Sequence, residues 1–193
     1  MSDLYPWPGK YSIGDRSSNI AIVTLDEDFS FDKYEIAIWG PMKTENLGIE
    51  RVVANVISNP NIRYLIICGK EIRGHRSGRS LVCLHRNGID DKGKIIEAPG
   101  AVPYIENISK EAVTRFREQV EAIDLIGVTE KDVIVDLIDD LKKDRKGSYG
   151  EPFISIEINR DETKIADTDF SLHSSISITK HGFIKEREVE EDV

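Results

Sequence analysis

The spacing of hydrophobic positions changes along the chain, and each change marks an element. Residues 19–25, NIAIVTL, are an unbroken β-branched run, the pattern of a strand buried on both faces. Residues 34–40, YEIAIWG, predict a second strand, and the loop GPMKTEN follows. Ile49, Val52, Val53, Val56 and Ile57 then recur at helical spacing. Thr44 is placed to cap that helix, Glu45 stands near its positive end, and Asn59-Pro60 stops it. Residues 63–68, RYLIIC, are the most strand-like run and pass straight into the glycine-punctuated loop GKEIRGHRSG. A helix is predicted from Ser77 to Asn87, ended by Gly88. Strand, loop and helix in such close order predict a parallel sheet with right-handed crossovers.

Beyond Gly88, KII at residues 94–96 is a short candidate strand ahead of the turn-rich EAPGAVPY. Ser109 is placed to cap a helix reaching about Glu118, and VEAIDLI from Val120 reads as a strand. Thr129 with Asp132 resembles a capping box before a helix carrying Val133, Val135, Leu137, Ile138 and Leu141. FISIEI and FSLHSSISI alternate with period two, as a hairpin or edge strands with one wet face, and KEREVEEDV is an acidic tail. At the other end, Pro6, Trp7 and Pro8 fix an extended entry arm up to Asp15, with Trp7 on the domain surface. The expected fold class is α/β, a Rossmann-like, mainly parallel sheet flanked by helices, with a C-terminal β-hairpin extension. Residues 1–145 form the α/β domain. Residues 146–193 form the extension and tail, packed on the same domain.

Composition narrows the function. The 193 residues, 39% hydrophobic and 32% charged, suffice for one packed core. A net charge of -9 disfavours a nucleic-acid backbone as partner. Cys68 and Cys83 form no C-x-x-C pair and no disulfide framework, and both sit in apolar runs, as buried thiols in a reducing cytoplasm do. No run reaches the roughly 18 apolar residues of a membrane-spanning helix, and MSDLYPWPGKYSIGD is no signal peptide. The reading is a cytoplasmic protein without membrane insertion.

Ligands of open parallel sheets bind beyond the carboxyl ends of the strands, where GPMKTEN, GKEIRGHRSG and EAPGAVPY are expected to form a mouth. Gly69, Gly74 and Gly78 permit close backbone approach, and His75 among them carries an imidazole suited to a metal. The helix start at Ser77 offers free N–H groups to a phosphate or amide. The order of residues is neither a P-loop nor a dinucleotide fingerprint. His85 is expected to be structural, His173 half-exposed in a strand and His181 in a turn. Glu45 and Glu71 are either an acid–base pair across two loops or solvated loop carboxylates, and the latter is preferred; Met42 and Trp39 read as packing. The residues alone leave His75 open as an exposed loop histidine or a ligand, with a phosphate- or nucleotide-binding module as the rival function.

GPMKTENLGIERVVANVISNPNIRYLIICGKEIRGH, followed by NGIDDKGKIIEAPGAVPYIENI and RFREQVEAIDLIGV, resembles the corrinoid-binding subunit of tetrahydromethanopterin S-methyltransferase, an archaeal methanogen family. The likeness begins at GKYSIGD and AIVTL and spans residues 9–128. It implies a methyltransferase subunit that binds a cobalamin-type corrinoid. Its cobalt would alternate between Co(I) and methyl-Co(III) as a methyl group passes from methyl-tetrahydromethanopterin to coenzyme M in methanogenesis. It implies His75 as the axial cobalt ligand, with Gly69, Glu71 and Gly74 matching the family pattern around it. Thr44, Glu45, Asn46 and Leu47 match a second motif lining the site. Ser77 and Gly78, and Pro99, Gly100, Ala101 and Pro103, join them from the positions of their loops. No side chain is assigned as catalytic. Methyl donor and acceptor sites would lie on partners: a pterin-methyltransferase subunit for the donor, a coenzyme M methyltransferase subunit for the acceptor. The chain departs from the family in three places: it ends without the hydrophobic anchor helix, Met42 replaces a usual Cys, and RSGR follows the histidine where a TGQ-like run is usual. The first departure implies either a soluble homologue or a chain trimmed of its anchor. Alternatives are a corrinoid-binding or storage paralogue without methyltransfer of its own, and a protein that has kept the fold and lost the cofactor.

Overall fold

The computed structural model describes residues 4–156 and three later strands, Asp169–His173, Ile176–Thr179 and Ile184–Glu186. The chain divides into two compact units, Met1–Glu157 and Ile158–Val193. In the first unit the order is β1 (Ser12–Ile13), β2 (Ile20–Val23), β3 (Ile38–Gly40), α1 (Leu47–Ser58), β4 (Tyr64–Gly69), α2 (Ser77–Asn87), α3 (Lys110–Gln119), β5 (Glu121–Ile126) and α4 (Lys131–Leu141). The sheet order is β1-β3-β2-β4-β5. β3, β2, β4 and β5 are parallel, and β1 joins the β3 edge antiparallel. This is the expected α/β architecture. From β2 the chain steps to β3 on one side and later to β4 on the other, so loops diverge at the carboxyl end of β2 and leave a crevice there.

Both faces of the sheet are covered, which explains why its strands read as unbroken apolar runs. Ala21, Val23, Leu65 and Ile67 pack with Val53, Ile57, Leu81 and Phe116. The alternate residues Ile20, Ile22, Tyr64, Ile66 and Cys68 pack with Ile134 and Ile138 of α4. No helix lies between β2 and β3. There Phe31, fully buried, meets Trp39 edge-on at 6.4 Å and Tyr34 at 6.1 Å, and this aromatic plug covers the sheet instead.

Several boundaries follow local chemistry that differs from the sequence expectation. Asn46, not Thr44, occupies the N-cap position of α1 and makes no side-chain cap bond. Thr44 Oγ1 still accepts the N–H of Gly48 at 2.9 Å, reaching the first turn from two residues further out. Glu130 precedes α4 without a side-chain cap, so the Thr129–Asp132 box does not form. KII makes only isolated bridges, Ile89 to Ile95 and Lys94 to Tyr104. α2 runs over the predicted residues, and Gly88, at φ +76°, closes it.

The expected boundary after residue 145 falls inside the first unit. Tyr149 N–H donates to Pro60 O and Phe153 N–H to Ile57 O, while Arg115 binds the carbonyls of Tyr149 and Glu151. Residues 153–156 of FISIEI are therefore held without forming a strand. In the second unit, FSLHSSISI divides into β6 (Asp169–His173) and β7 (Ile176–Thr179), which pair antiparallel. β8 (Ile184–Glu186) continues the sheet. His181 and residues 187–193 of the acidic tail lie outside the described residues.

Candidate functional site

Three loops meet at the carboxyl edge of the sheet, and Glu45 is the residue that joins them. It follows β3, is only 2% exposed, and spends both carboxylate oxygens on its neighbours. Oε2 lies 2.7 Å from His75 Nδ1 in the β4–α2 loop. Oε1 accepts the N–H of Val102, from the PGAVP loop, at 2.8 Å. Burial pushes the Glu45 carboxyl up, but the N–H groups of Val102 and of its own residue, together with His75, outweigh burial and hold it below the usual glutamate value. Glu45 is thus an ionised, buried orienting group, and the reading of it as a solvated loop carboxylate is corrected.

His75 itself is half-exposed, with its side chain at 52%. With Nδ1 engaged by a carboxylate, Nε2 is the nitrogen left for another partner, the arrangement in which a metal-bound imidazole is held by its second nitrogen. Gly100 explains how the loops come so close. A Cβ there would stand 2.7 Å from both Glu45 Cγ and the His75 carbonyl, and 2.9 Å from Ser80 Oγ. Ser80 is fully buried, and its hydroxyl has no hydrogen-bond partner among the described residues. An orphaned buried hydroxyl beside the His–Glu pair is what a site completed by a ligand or water leaves behind.

The remaining predicted residues divide by position. Glu71 does not face Glu45; it caps α2, accepting the N–H groups of Gly78 and Arg79 at 2.9 Å each. Ser77 Oγ donates to Met42 O at 3.1 Å and ties the second loop to the first. Gly74 has φ +85° with open space around it, and gives the turn before His75 its path. Gly69, at φ +89°, has Thr24 O 2.4 Å from where a Cβ would sit, and a Cβ on Gly78 would meet Leu25 Cδ1 at 2.9 Å. Both are needed for packing at the strand ends. Asn46 and Leu47 open α1, and Leu47 is 42% exposed. Pro99 and Ala101 are exposed, and Pro103 is buried with its carbonyl accepting Ile95 N–H. Sequence reasoning missed Ser80 and Val102. Ser80 was visible only as a small polar residue one turn after Ser77. Val102 contributes a backbone N–H, which no side-chain pattern announces.

Comparison with known proteins bears on this same region. The profile of MtrA, the A subunit of tetrahydromethanopterin S-methyltransferase, matches residues 2–166. The chain belongs to this MtrA family. The A subunit of the putative methyltransferase Mtx of Methanosarcina barkeri is 44% identical over 181 residues, covering 92% of this chain and 89% of its own length. The second tetrahydromethanopterin S-methyltransferase A subunit of Methanothermobacter thermautotrophicus is 50% identical over 134 residues, 66% of this chain and 73% of its own. The A subunit of the same enzyme from Methanosphaera stadtmanae is 40% identical over 181 residues, 89% and 73% respectively.

Two of the departures read from the sequence can be located in this MtrA homologue. Met42 is buried in the core, and its carbonyl receives Ser77. Arg76 is exposed at the left-handed position before α2, while Arg79 is committed to Asp124 at 2.7 Å. Arg79 therefore adds less free charge to the mouth than the RSGR run suggests. Among the described residues no helix is long and apolar enough to cross a membrane.

The other expected residues behave as scaffold. His85 binds the Val120 carbonyl at 2.8 Å and meets Phe116 edge-on. Cys68 is buried and free; burial, with the nearby Glu27 charge, pushes its thiol up to about 12. Cys83 is half-buried, with its thiol also raised, by burial first and then by Glu97.

Proposed function

We propose that this chain is a cytoplasmic, cobalamin-binding methyl carrier in transfer of a methyl group from methyl-tetrahydromethanopterin to coenzyme M. The observation that carries the reading is the Glu45–His75 pair, an imidazole at the sheet edge fixed through Nδ1 by a buried, ionised carboxylate. Family membership supports methyl transfer as its setting.

The donor set fits a corrinoid. Among the described residues no three His, Cys, Asp or Glu side chains gather to hold a metal ion. A metal at His75 must therefore bring its other donors with it, as a macrocycle does. When bound, the corrinoid supplies a cobalt centre able to accept a methyl group and hand it on. The chain's own part is to hold and orient. Glu45 engages Nδ1 of His75, and so leaves Nε2 as the nitrogen turned to a ligand. Val102, whose N–H Glu45 holds, and Leu47, two residues beyond Glu45, are 53% and 42% exposed, apolar side chains of a kind that suits the face of a large flat ring. Gly74, in open space at positive φ, sets the turn that presents His75, the residue that would hold the cobalt of a bound corrinoid. Methyl donor and acceptor are delivered by partners: a pterin-methyltransferase subunit for the one, a coenzyme M methyltransferase subunit for the other.

The test is spectroscopic. Purified protein mixed with hydroxocobalamin should retain the corrinoid through a sizing column. His75→Ala should keep the fold and alter the visible spectrum of the bound Co(III) form. Failure of the wild type to retain corrinoid, or an identical spectrum in the variant, overturns the reading. Single-turnover methylation by a pterin-side partner then separates a carrier from a storage protein.

A further inference from the structure

We propose that the apolar cavity beneath the N-terminal arm is a binding site for an organic anion with a flat apolar body. The cavity measures about 250 Å³. Val23, Ile38, Trp39, Val52 and Val56 are among its walls. Lys10, Lys43 and Arg51 also line it, and no Asp or Glu does. In a chain of net charge -9 that is a local inversion of sign.

The cations are not equivalent. Lys43 pairs with Asp26 at 3.0 Å, outside the cavity lining. Arg51 makes no ion pair among the described residues, and its Nε is buried without an acceptor. The arm sets its position. Its side chain passes Gly9, where a Cβ would come within 2.6 Å of Cδ, and the guanidinium faces the Trp7 ring at 5.8 Å. The arm is itself clamped to α1: Trp7 N–H donates to Asn55 Oδ1 at 2.9 Å, and Asn55 Nδ2 donates to Trp7 O at 2.8 Å. A fixed guanidinium N–H without an acceptor, beside an apolar void, is satisfied by an anion whose apolar part fills the space.

Met42 and Thr44 contribute to this cavity from the loop that carries Glu45, so the occupant and the carboxylate that holds His75 share one loop. The ligand class is an aromatic or short aliphatic body bearing a carboxylate, phosphate or sulfonate. The nucleotide tail of a corrinoid, an aromatic base joined to a phosphodiester, has that chemistry, and so does a free small anion. The site rests on the cavity and not on the cobalt reading.

Calorimetric titration of the full chain with 2-naphthoate, and with the neutral 2-naphthamide, tests it. Naphthoate should bind saturably, one per chain, and naphthamide about tenfold more weakly. Arg51→Gln should remove that difference. Val52→Trp should abolish binding of both with an unchanged melting curve; should it fail to fold, Arg51→Gln decides. No saturable binding of naphthoate to the folded wild type, or the same binding in every folded variant, overturns the proposal. Preloading identifies the source. Cobalamin blocking naphthoate where cobinamide, lacking the nucleotide, does not marks the corrinoid tail; blocking by neither marks a free anion. A chain that retains no corrinoid but binds naphthoate would lose the cobalt reading and keep this one.

Discussion

Glu45 reaches His75 Nδ1 at 2.7 Å with one carboxylate oxygen and holds Val102 N–H at 2.8 Å with the other, so one buried side chain fastens three loops at the sheet edge. Replacing it separates its two tasks. Glu45→Ala leaves the part-buried Val102 N–H and an imidazole nitrogen without their acceptor and should cost about 1–2 kcal/mol in urea unfolding. Glu45→Gln retains an amide of the same shape without the charge. It should keep most of the stability and weaken hydroxocobalamin retention roughly 10- to 100-fold. Equal corrinoid affinity in wild type and Glu45→Gln would show that the carboxylate does not tune His75.

The same residue sets an acid limit. The folded Glu45 carboxyl lies below its ordinary value of 4.5, despite burial and because of the N–H groups and His75 around it. A group depressed in the folded state stabilises the fold above its unfolded value, and that contribution disappears as pH falls through the folded value. Wild-type stability should therefore drop below the ordinary glutamate range, and the drop should be shallower in Glu45→Gln. Unfolding curves at a series of pH values compare the two. Parallel pH profiles would place the loss in other carboxylates.

Gly100 is fixed by space rather than by backbone conformation. Its added Cβ would meet Glu45 Cγ and the His75 carbonyl, both at 2.7 Å, and neither can withdraw without opening the loop junction. Gly100→Ala should cost about 1–3 kcal/mol and impair corrinoid retention. Gly74→Ala meets nothing within 4 Å and bears only the strain of φ +85°, about 1 kcal/mol. Thermal melts of the two variants, read beside corrinoid binding, distinguish crowding of the site from strain in its loop.

Much of this fold was legible because local signals agreed with tertiary context. β4 and α2 follow one another with a glycine loop between them, and Gly88 stops α2 where the sequence places the stop. The mouth was legible as loops at strand ends, and His75 as its imidazole. What the side chains do there was not. Glu45 and Glu71 look alike in sequence, yet one is buried against His75 and the other caps α2, because long-range packing selects the direction of each. The aromatic plug of Phe31 and Tyr34 was hidden for the same reason: no period distinguishes a plug from a loop. The reach of residues 146–156 along α1 and α3 depends on backbone bonds to Pro60 and Ile57, which leave no trace in composition.

The two thiols should differ in reactivity. Only the thiolate reacts, and burial, helped by Glu27, raises the Cys68 thiol to about 12. Cys83, half-buried and with its thiol also raised, is the more accessible. A disulfide reagent at about pH 8 should modify Cys83 slowly in the native protein and Cys68 only on unfolding. Rapid native modification of Cys68, located by mass spectrometry, would contradict its placement under the sheet.

Glu71 offers a clean separation of scaffold from site. The sequence groups it with His75 in one loop, but its two oxygens accept the N–H groups of Gly78 and Arg79 at 2.9 Å each. These are first-turn amides of α2, which have no acceptor within the helix, and a carboxylate there also meets the positive end of the helix dipole. Glu71→Ala should therefore destabilise the protein by about 0.5–2 kcal/mol, as loss of a cap does. Glu71→Gln should recover part of that, because one amide oxygen still accepts. Neither change removes a contact of Glu45 or His75, so the spectrum of bound Co(III) corrinoid should stay that of the wild type. A spectral shift in Glu71→Gln with unchanged stability would mean that Glu71 acts on the ligand side of the loop instead of on the helix.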